Sequence, residues 1–201
     1  MRTAARDRRE PSGKPAPRAG PPVAARARNP RPEPGFRDPL LHGLPPVLGR
    51  GTTVLILGSF PGEASLAARQ YYAHPRNHFW PLVAASIDAP LAKLPYRARL
   101  RELRAHGIGL WDVIVSCKRH GSLDGAIRMA VPGEISRARR AAPGLSLICF
   151  NGKTAARALP AWREAGYATL ALPSSSPAYT LPFAEKLAAW RSVGEFLQRR
   201  S

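Results

Sequence analysis

Four short runs of β-branched and apolar residues, 53–57, 108–115, 145–150 and 167–172, recur along the chain with helix-spaced segments between them, and no other feature constrains the fold as tightly. Apolar runs of that length without strict alternation mark strands buried on both faces. The segments 81–87, 96–106, 123–130, 135–142 and 154–159, with a last one at 183–199, read as helices. In the last of these Leu187, Trp190, Val193, Phe196 and Leu197 return at steps of three and four, which predicts one buried stripe. Strand alternating with helix predicts an α/β chain whose parallel sheet is covered on both faces. Residues 39–46 read as a loop leading into this domain, and no internal repeat is seen.

A chain of 201 residues allows one domain of ordinary size and little more. Residues 1–36 stand apart, holding 8 of the 22 prolines and 9 of the 31 basic residues, with Val23 and Phe36 the only sizeable apolar side chains after Met1. Such a segment cannot bury enough surface to offset its conformational entropy. It is expected to be a disordered basic arm, either a solvated tail or a non-specific DNA tether, followed by a folded domain at 37–201. The formal net charge of +18 predicts a polyanionic partner, nucleic acid foremost. Arginine makes up 26 of the 31 basic residues, which a GC-rich coding sequence also produces, but that bias does not account for so few acids.

Cys117 and Cys149 form no CxxC or CxxH pair, so a structural metal is not expected. Runs such as 53–57 fall far short of the roughly 20 apolar residues that span a membrane. The amino-terminal residues lack the apolar core of a secretory signal, which leaves the cytoplasm as the expected compartment.

Three strings carry the chemistry. Leu57-Gly58-Ser59-Phe60-Pro61-Gly62 is a small-residue turn after the first strand, where open α/β sheets place their ligands. It has neither the GxGxxG spacing of a dinucleotide fold nor the GK[ST] of a phosphate loop, and it reads equally as a plain strand-to-loop turn. Gln70-Tyr71-Tyr72-Ala73-His74-Pro75-Arg76-Asn77-His78-Phe79-Trp80 packs aromatic, amide, imidazole and guanidinium groups into eleven residues, a mixture suited to stacking a planar ring and reading its edge. Phe79 and Trp80 read as helix-start residues that pack inward, leaving Tyr71, Tyr72 and Asn77 as the functional candidates. Leu172-Pro173-Ser174-Ser175-Ser176-Pro177-Ala178 follows the fourth strand and offers hydroxyls and free N–H groups to phosphates.

Together these strings, with Gly109-Leu110-Trp111-Asp112-Val113, Gly121-Ser122-Leu123-Asp124 and Phe150-Asn151-Gly152-Lys153, resemble the uracil-DNA glycosylase superfamily, and within it the hypoxanthine-DNA (deoxyinosine) glycosylase branch. The resemblance covers residues 54–190 in the family's order. It implies a three-layer α/β/α sandwich around a four-stranded parallel sheet and a monofunctional, monomeric enzyme of base-excision repair. Such an enzyme hydrolyses the N-glycosidic bond of a deaminated base in DNA, hypoxanthine by preference, without a metal, nucleotide or flavin cofactor. It would work in a bacterial cytoplasm and nucleoid, on a base that leaves the duplex stack before cleavage.

By the same resemblance Gly58, Ser59, Phe60 and Tyr72 form the base site, with Tyr72 the ring on which the base stacks. Ser59 stands where the uracil enzymes carry Asp, and a serine cannot replace that water-activating carboxylate, so the duty falls elsewhere. In the hypoxanthine branch it is associated with Asn77, an amide that can orient a water. Asp112 falls where uracil enzymes read the base with Asn. It could contact hypoxanthine or uracil, or be a strand-end acid paired with an arginine. Leu172 replaces the His that stabilises a departing uracil anion, which points away from uracil. Ser174, Ser175, Ser176 and Pro177 would form the loop at the flanking phosphates, with 176–179 near the gap in the stack. Gly133 and Glu134 replace the Asn-Asp pair of the branch. A uracil or G·U/G·T mismatch enzyme is the alternative substrate class, and a non-catalytic DNA-binding relative the alternative function.

Overall fold

The computed structural model describes residues 39–199. The proposed arm at 1–36 lies outside those residues. Strands β1 (Leu40–His42), β2 (Val54–Gly58), β3 (Ile108–Asp112), β4 (Ile114–Lys118), β5 (Arg128–Pro132), β6 (Leu147–Asn151) and β7 (Ala168–Leu172) interleave with six helices. These are α1 (Glu63–Ala68), α2 (Phe79–Ser86), α3 (Tyr96–Ala105), α4 (Ile135–Ala141), α5 (Leu159–Glu164) and α6 (Phe183–Gln198).

The central sheet has the order β3-β2-β6-β7 and is parallel throughout, with Gly58 in register with Asp112 and Asn151 with Leu172. Alternate residues of its strands serve opposite faces. Val54, Ile56, Ile108, Leu110, Leu147 and Cys149 pack with α2, α3 and α6 through Phe79, Leu82, Leu103 and Trp190. Leu55, Leu57, Trp111, Ile148 and Phe150 pack on the other side with α4 and α5 through Ala138 and Trp162. The expected three-layer α/β/α sandwich is the architecture found. Trp190 and Val193 of the α6 stripe are fully buried, with Leu187, Phe196 and Leu197 packed beside them.

Four expectations are corrected. The run 108–115 is two strands: after Asp112 the chain bends, Val113 N–H donates to the Gly58 carbonyl, and β4 leaves the central sheet. It pairs antiparallel with β1 and β5 in a second, three-stranded sheet, so part of the loop expected at 39–46 is strand. The helix expected at 123–130 is instead a short 3₁₀ turn at Asp124–Ala126 followed by β5. Its apolar positions have nothing to pack on, Leu123 being 66% and Met129 71% exposed, so pairing with β4 decides the backbone. The segment 154–159 is a 3₁₀ turn at Ala155–Ala158, and α5 begins where the expected helix ends. Pro160 opens that helix, because the first turn has no use for the missing N–H. No helix among the described residues is long and apolar enough to cross a membrane.

Candidate active site

All four strands of the central sheet end on one side, at Gly58, Asp112, Asn151 and Leu172. The loops that follow enclose a cleft of about 900 Å³. Parallel strands collect their ligands there because the loops diverge from a common edge. The cleft is lined by the 58–62 turn, by Tyr72 and Asn77, by Asp112, by Asp124 from the turn before β5, and by the 173–179 loop.

Asp112 forms the floor and is 4% exposed. Its Oδ2 has no hydrogen-bond partner among the described residues. Burial pushes its carboxyl up to about 8, the nearby Asp124 pushes the same way, and Arg119 opposes both. At neutral pH Asp112 therefore holds a proton and offers both an O–H and a C=O to whatever enters the cleft. The absence of a side chain at Gly58 makes this floor possible. A Cβ there would collide with Asp112 Oδ1 and lie 3.1 Å from the Tyr72 hydroxyl.

Tyr72 takes a left-handed backbone conformation, φ 55°, uncommon for an aromatic residue. Its ring stacks on Phe79 at 3.6 Å between centroids and 9° between planes. Phe79 is fully buried and in turn meets Trp190 edge-on. Phe79 and Trp80 thus back the wall that Tyr72 presents. Tyr71 is only 3% exposed and donates its hydroxyl toward the Leu44 and Pro45 carbonyls, a packing role.

Asn77 stands at the rim, where its Oδ1 accepts from the Phe79 N–H at 2.9 Å. This caps the first turn of α2 and fixes the amide. The Nδ2 group and the second Oδ1 lone pair remain for a ligand. Phe60 is buried with its ring under the Arg119 guanidinium, 4.9 Å from the centroid. Arg119, 3% exposed, also donates to the Pro61 carbonyl and so supports the 58–62 turn from behind.

The serine loop divides in two. Ser175 is 1% exposed and knotted to Asn151: its N–H donates to Asn151 Oδ1 at 2.8 Å, and Asn151 Nδ2 donates to its Oγ at 2.9 Å. Its carbonyl accepts from the His78 N–H, which ties the loop to the start of α2. Ser174 and Ser176 accept from the N–H groups of Ser176 and Ala178, and their hydroxyl hydrogens stay free beside Pro177 at the rim. Beneath them Lys186, 1% exposed, donates to the Tyr179 carbonyl at 2.7 Å. Leu172 is buried and meets the cleft with an apolar side chain, and residues 172–179 contain no histidine.

The profile of the Uracil DNA glycosylase superfamily matches residues 45–194. The chain belongs to that superfamily. This glycosylase is 40% identical over 149 residues to the Hypoxanthine DNA glycosylase of Methanosarcina barkeri, covering 74% of this chain and 94% of that one. It is likewise 40% identical over 152 residues to the Hypoxanthine DNA glycosylase of Methanosarcina acetivorans, covering 76% and 96%. The solution NMR structure of a Methanosarcina acetivorans protein assigned as a uracil DNA glycosylase superposes with a TM-score of 0.73 at 38% identity, covering 79% of this chain and 99% of that one. These relatives are archaeal, so they lend nothing to the expectation of a bacterial source.

Sequence reasoning missed Asp124, Asn151, Arg119 and Lys186 as parts of the site. Gly121-Ser122-Leu123-Asp124 and Phe150-Asn151-Gly152-Lys153 were visible as family strings, but no role attached to them. Arg119 and Lys186 carried no signal at all, since a buried cation looks like any other in a chain with 31 of them.

Proposed function

We propose that this glycosylase removes hypoxanthine from deoxyinosine sites, hydrolysing the C1′–N9 bond and leaving an abasic site. The observation that carries the reading is Asp112. A base departs with the bonding electron pair, and a hydrogen-bond donor aimed at it stabilises that charge. Leu172 lines the cleft with an apolar side chain that donates nothing, and the protonated Asp112 on the floor supplies a donor. A purine accepts it at a ring nitrogen or at O6, while the Asp112 carbonyl can take the N1–H. The names of the two Methanosarcina enzymes support the same substrate.

In this reading the flipped base lies on Tyr72, continuing the stack that Phe79 begins, with Gly58, Ser59 and Phe60 along its other side. Asn77 orients the water and sugar, and Ser174, Ser176 and Pro177 hold the flanking backbone, with Ser175 locking their loop. We place the activity in residues 37–201 and take the enzyme to be a cytoplasmic monomer acting on DNA with a deaminated base. Uracil is the second reading, because its N3–H and O4 would also pair with Asp112.

Oligonucleotides carrying one deoxyinosine or one deoxyuridine, incubated with the protein and developed with alkali, separate the two. Faster strand scission at deoxyinosine is expected, and faster scission at deoxyuridine would replace the first reading by the second. The role of Asn77 has its own test. Asn77→Ser keeps an oxygen that can cap Phe79 and loses the amide, so the rate should fall about 10²-fold with the melting temperature unchanged. Asn77→Ala should lose the same rate and, in addition, about 1 kcal/mol of stability with the cap. A serine variant at full rate would remove Asn77 from the chemistry.

A further inference from the structure

An amide can orient a water but cannot take its proton, so Asn77 alone leaves that proton without a destination. Asp124 lies on the cleft wall, and its Oδ1 accepts from Ser59 Oγ at 2.7 Å. The contact joins residues 65 apart in the sequence. A second tie fixes the same loop, because the Glu63 N–H donates to Ser122 Oγ at 2.9 Å at the entrance to α1. The carboxylate is thus held inside the cleft, against the turn at the carboxyl end of β2. In the same cleft Asp112 is buried, with Oδ2 unpartnered among the described residues. The cleft therefore contains two carboxyl groups in different surroundings, one partly open and hydrogen-bonded by a hydroxyl, the other enclosed in the floor.

We propose that Asp124 is the catalytic base that takes the proton of the attacking water, and that Ser59 is the residue that positions it. The chain supplies this carboxylate from the turn before β5, and the serine holds it in the cleft. This rests on the glycosylase reading above and completes its proton balance. The C1′–N9 bond breaks with its electron pair going to the base, and Asp112 gives its proton to a ring nitrogen of the departing purine. The water oxygen then bonds to C1′ and yields one proton to Asp124. The neutral base and the abasic sugar leave, Asp112 is left as carboxylate and Asp124 as acid, and exchange with solvent resets both.

The test compares wild type, Asp124→Asn, Ser59→Ala, Ser59→Thr and the double variant Ser59→Ala/Asp124→Asn in single-turnover cleavage of deoxyinosine and deoxyuridine oligonucleotides. Affinity for DNA carrying a tetrahydrofuran abasic analogue is measured alongside. Asparagine keeps an acceptor for Ser59 and removes only the basicity, so the rate should fall about 10²- to 10⁴-fold while DNA affinity is unchanged. Ser59→Ala should lose about 10- to 100-fold, Ser59→Thr should recover most of it, and the double variant should be no slower than Asp124→Asn alone. Asp124→Asn at wild-type rate overturns the assignment, as does a loss matched by equal loss of DNA affinity. Should Asp124→Asn fail to fold, an unchanged Ser59→Ala rate overturns it equally. Wild type that releases uracil but not hypoxanthine defeats the substrate reading alone, and the same comparison on the deoxyuridine oligonucleotide then decides on Asp124. Wild type that releases neither base overturns both.

Discussion

Asp112→Asn should lower the single-turnover rate on deoxyinosine about 10²-fold at pH 7 and remove the alkaline fall of the wild-type profile. The two side chains have nearly the same shape, so the tight contact with Gly58 survives and the carboxamide still offers a donor and an acceptor to the base. What it cannot do is give up a proton. The Asp112 carboxyl is pushed up to about 8, first by burial and then by Asp124. The wild-type rate should therefore fall about tenfold per unit above that pH, while the variant shows no alkaline fall. The same group leaves a mark on stability with a definite sign. An acid whose folded value is raised contributes stability fully below its unfolded value, near 3.8, and loses it as the pH rises to about 8. The variant should thus lose less of its melting temperature than wild type between pH 5 and pH 9. A wild-type rate that does not fall above pH 8, with a variant of equal rate at pH 7, would mean that the departing base needs no proton from this floor.

The second large effect is on folding. Gly194→Ala places a Cβ of α6 inside the carbonyl of Ser86, the last residue of α2, with the Ser86 carbonyl carbon only 2.9 Å away. The obstacle is backbone, so no side chain can swing aside and the two helices must separate. Overpacking of that kind should cost about 3 kcal/mol, a fall in melting temperature of roughly 6–12 °C for a chain of this size. Gly49→Ala meets nothing within 4 Å and should change stability by less than about 0.5 kcal/mol. Because α2 carries Phe79, the backing of Tyr72, and begins at the turn capped by Asn77, the α6 variant should also lose activity at temperatures where it remains folded. Thermal unfolding of both alanine variants beside wild type settles the matter, and a Gly194→Ala protein as stable as the Gly49→Ala control would refute the close crossing.

Strands β2, β3 and β6 of the central sheet were legible because each is buried on both faces and so reads as an unbroken apolar run, while β7, at the sheet edge, is partly exposed and was legible from its β-branched and apolar residues. The α6 stripe was legible because Trp190 and Val193 fall on one side of a regular helix. The second sheet was not. The apolar positions around Leu123 and Met129 have helical spacing, but spacing predicts a helix only where a partner surface exists to receive it. Here β4 supplies hydrogen bonds and nothing supplies a core. Tyr71 shows the converse: beside Tyr72 in sequence it was an equal candidate, yet its hydroxyl is spent on Leu44 and Pro45.

The chain's local chemistry, then, was enough for the fold class, the order of the strands along the chain, and most of the residues that meet at the carboxyl end of the sheet. Those depend on periodicity and on side-chain type, which are properties of neighbours in sequence. Tertiary structure alone decided that Asp112 holds a proton, that Ser59 is bonded to Asp124, and that Ser175 is knotted to Asn151 while Ser174 and Ser176 keep their hydroxyl hydrogens for a ligand. A carboxyl group changes its proton affinity with the water taken from around it, and a hydroxyl finds its partner at 2.7 Å even when that partner is 65 residues away.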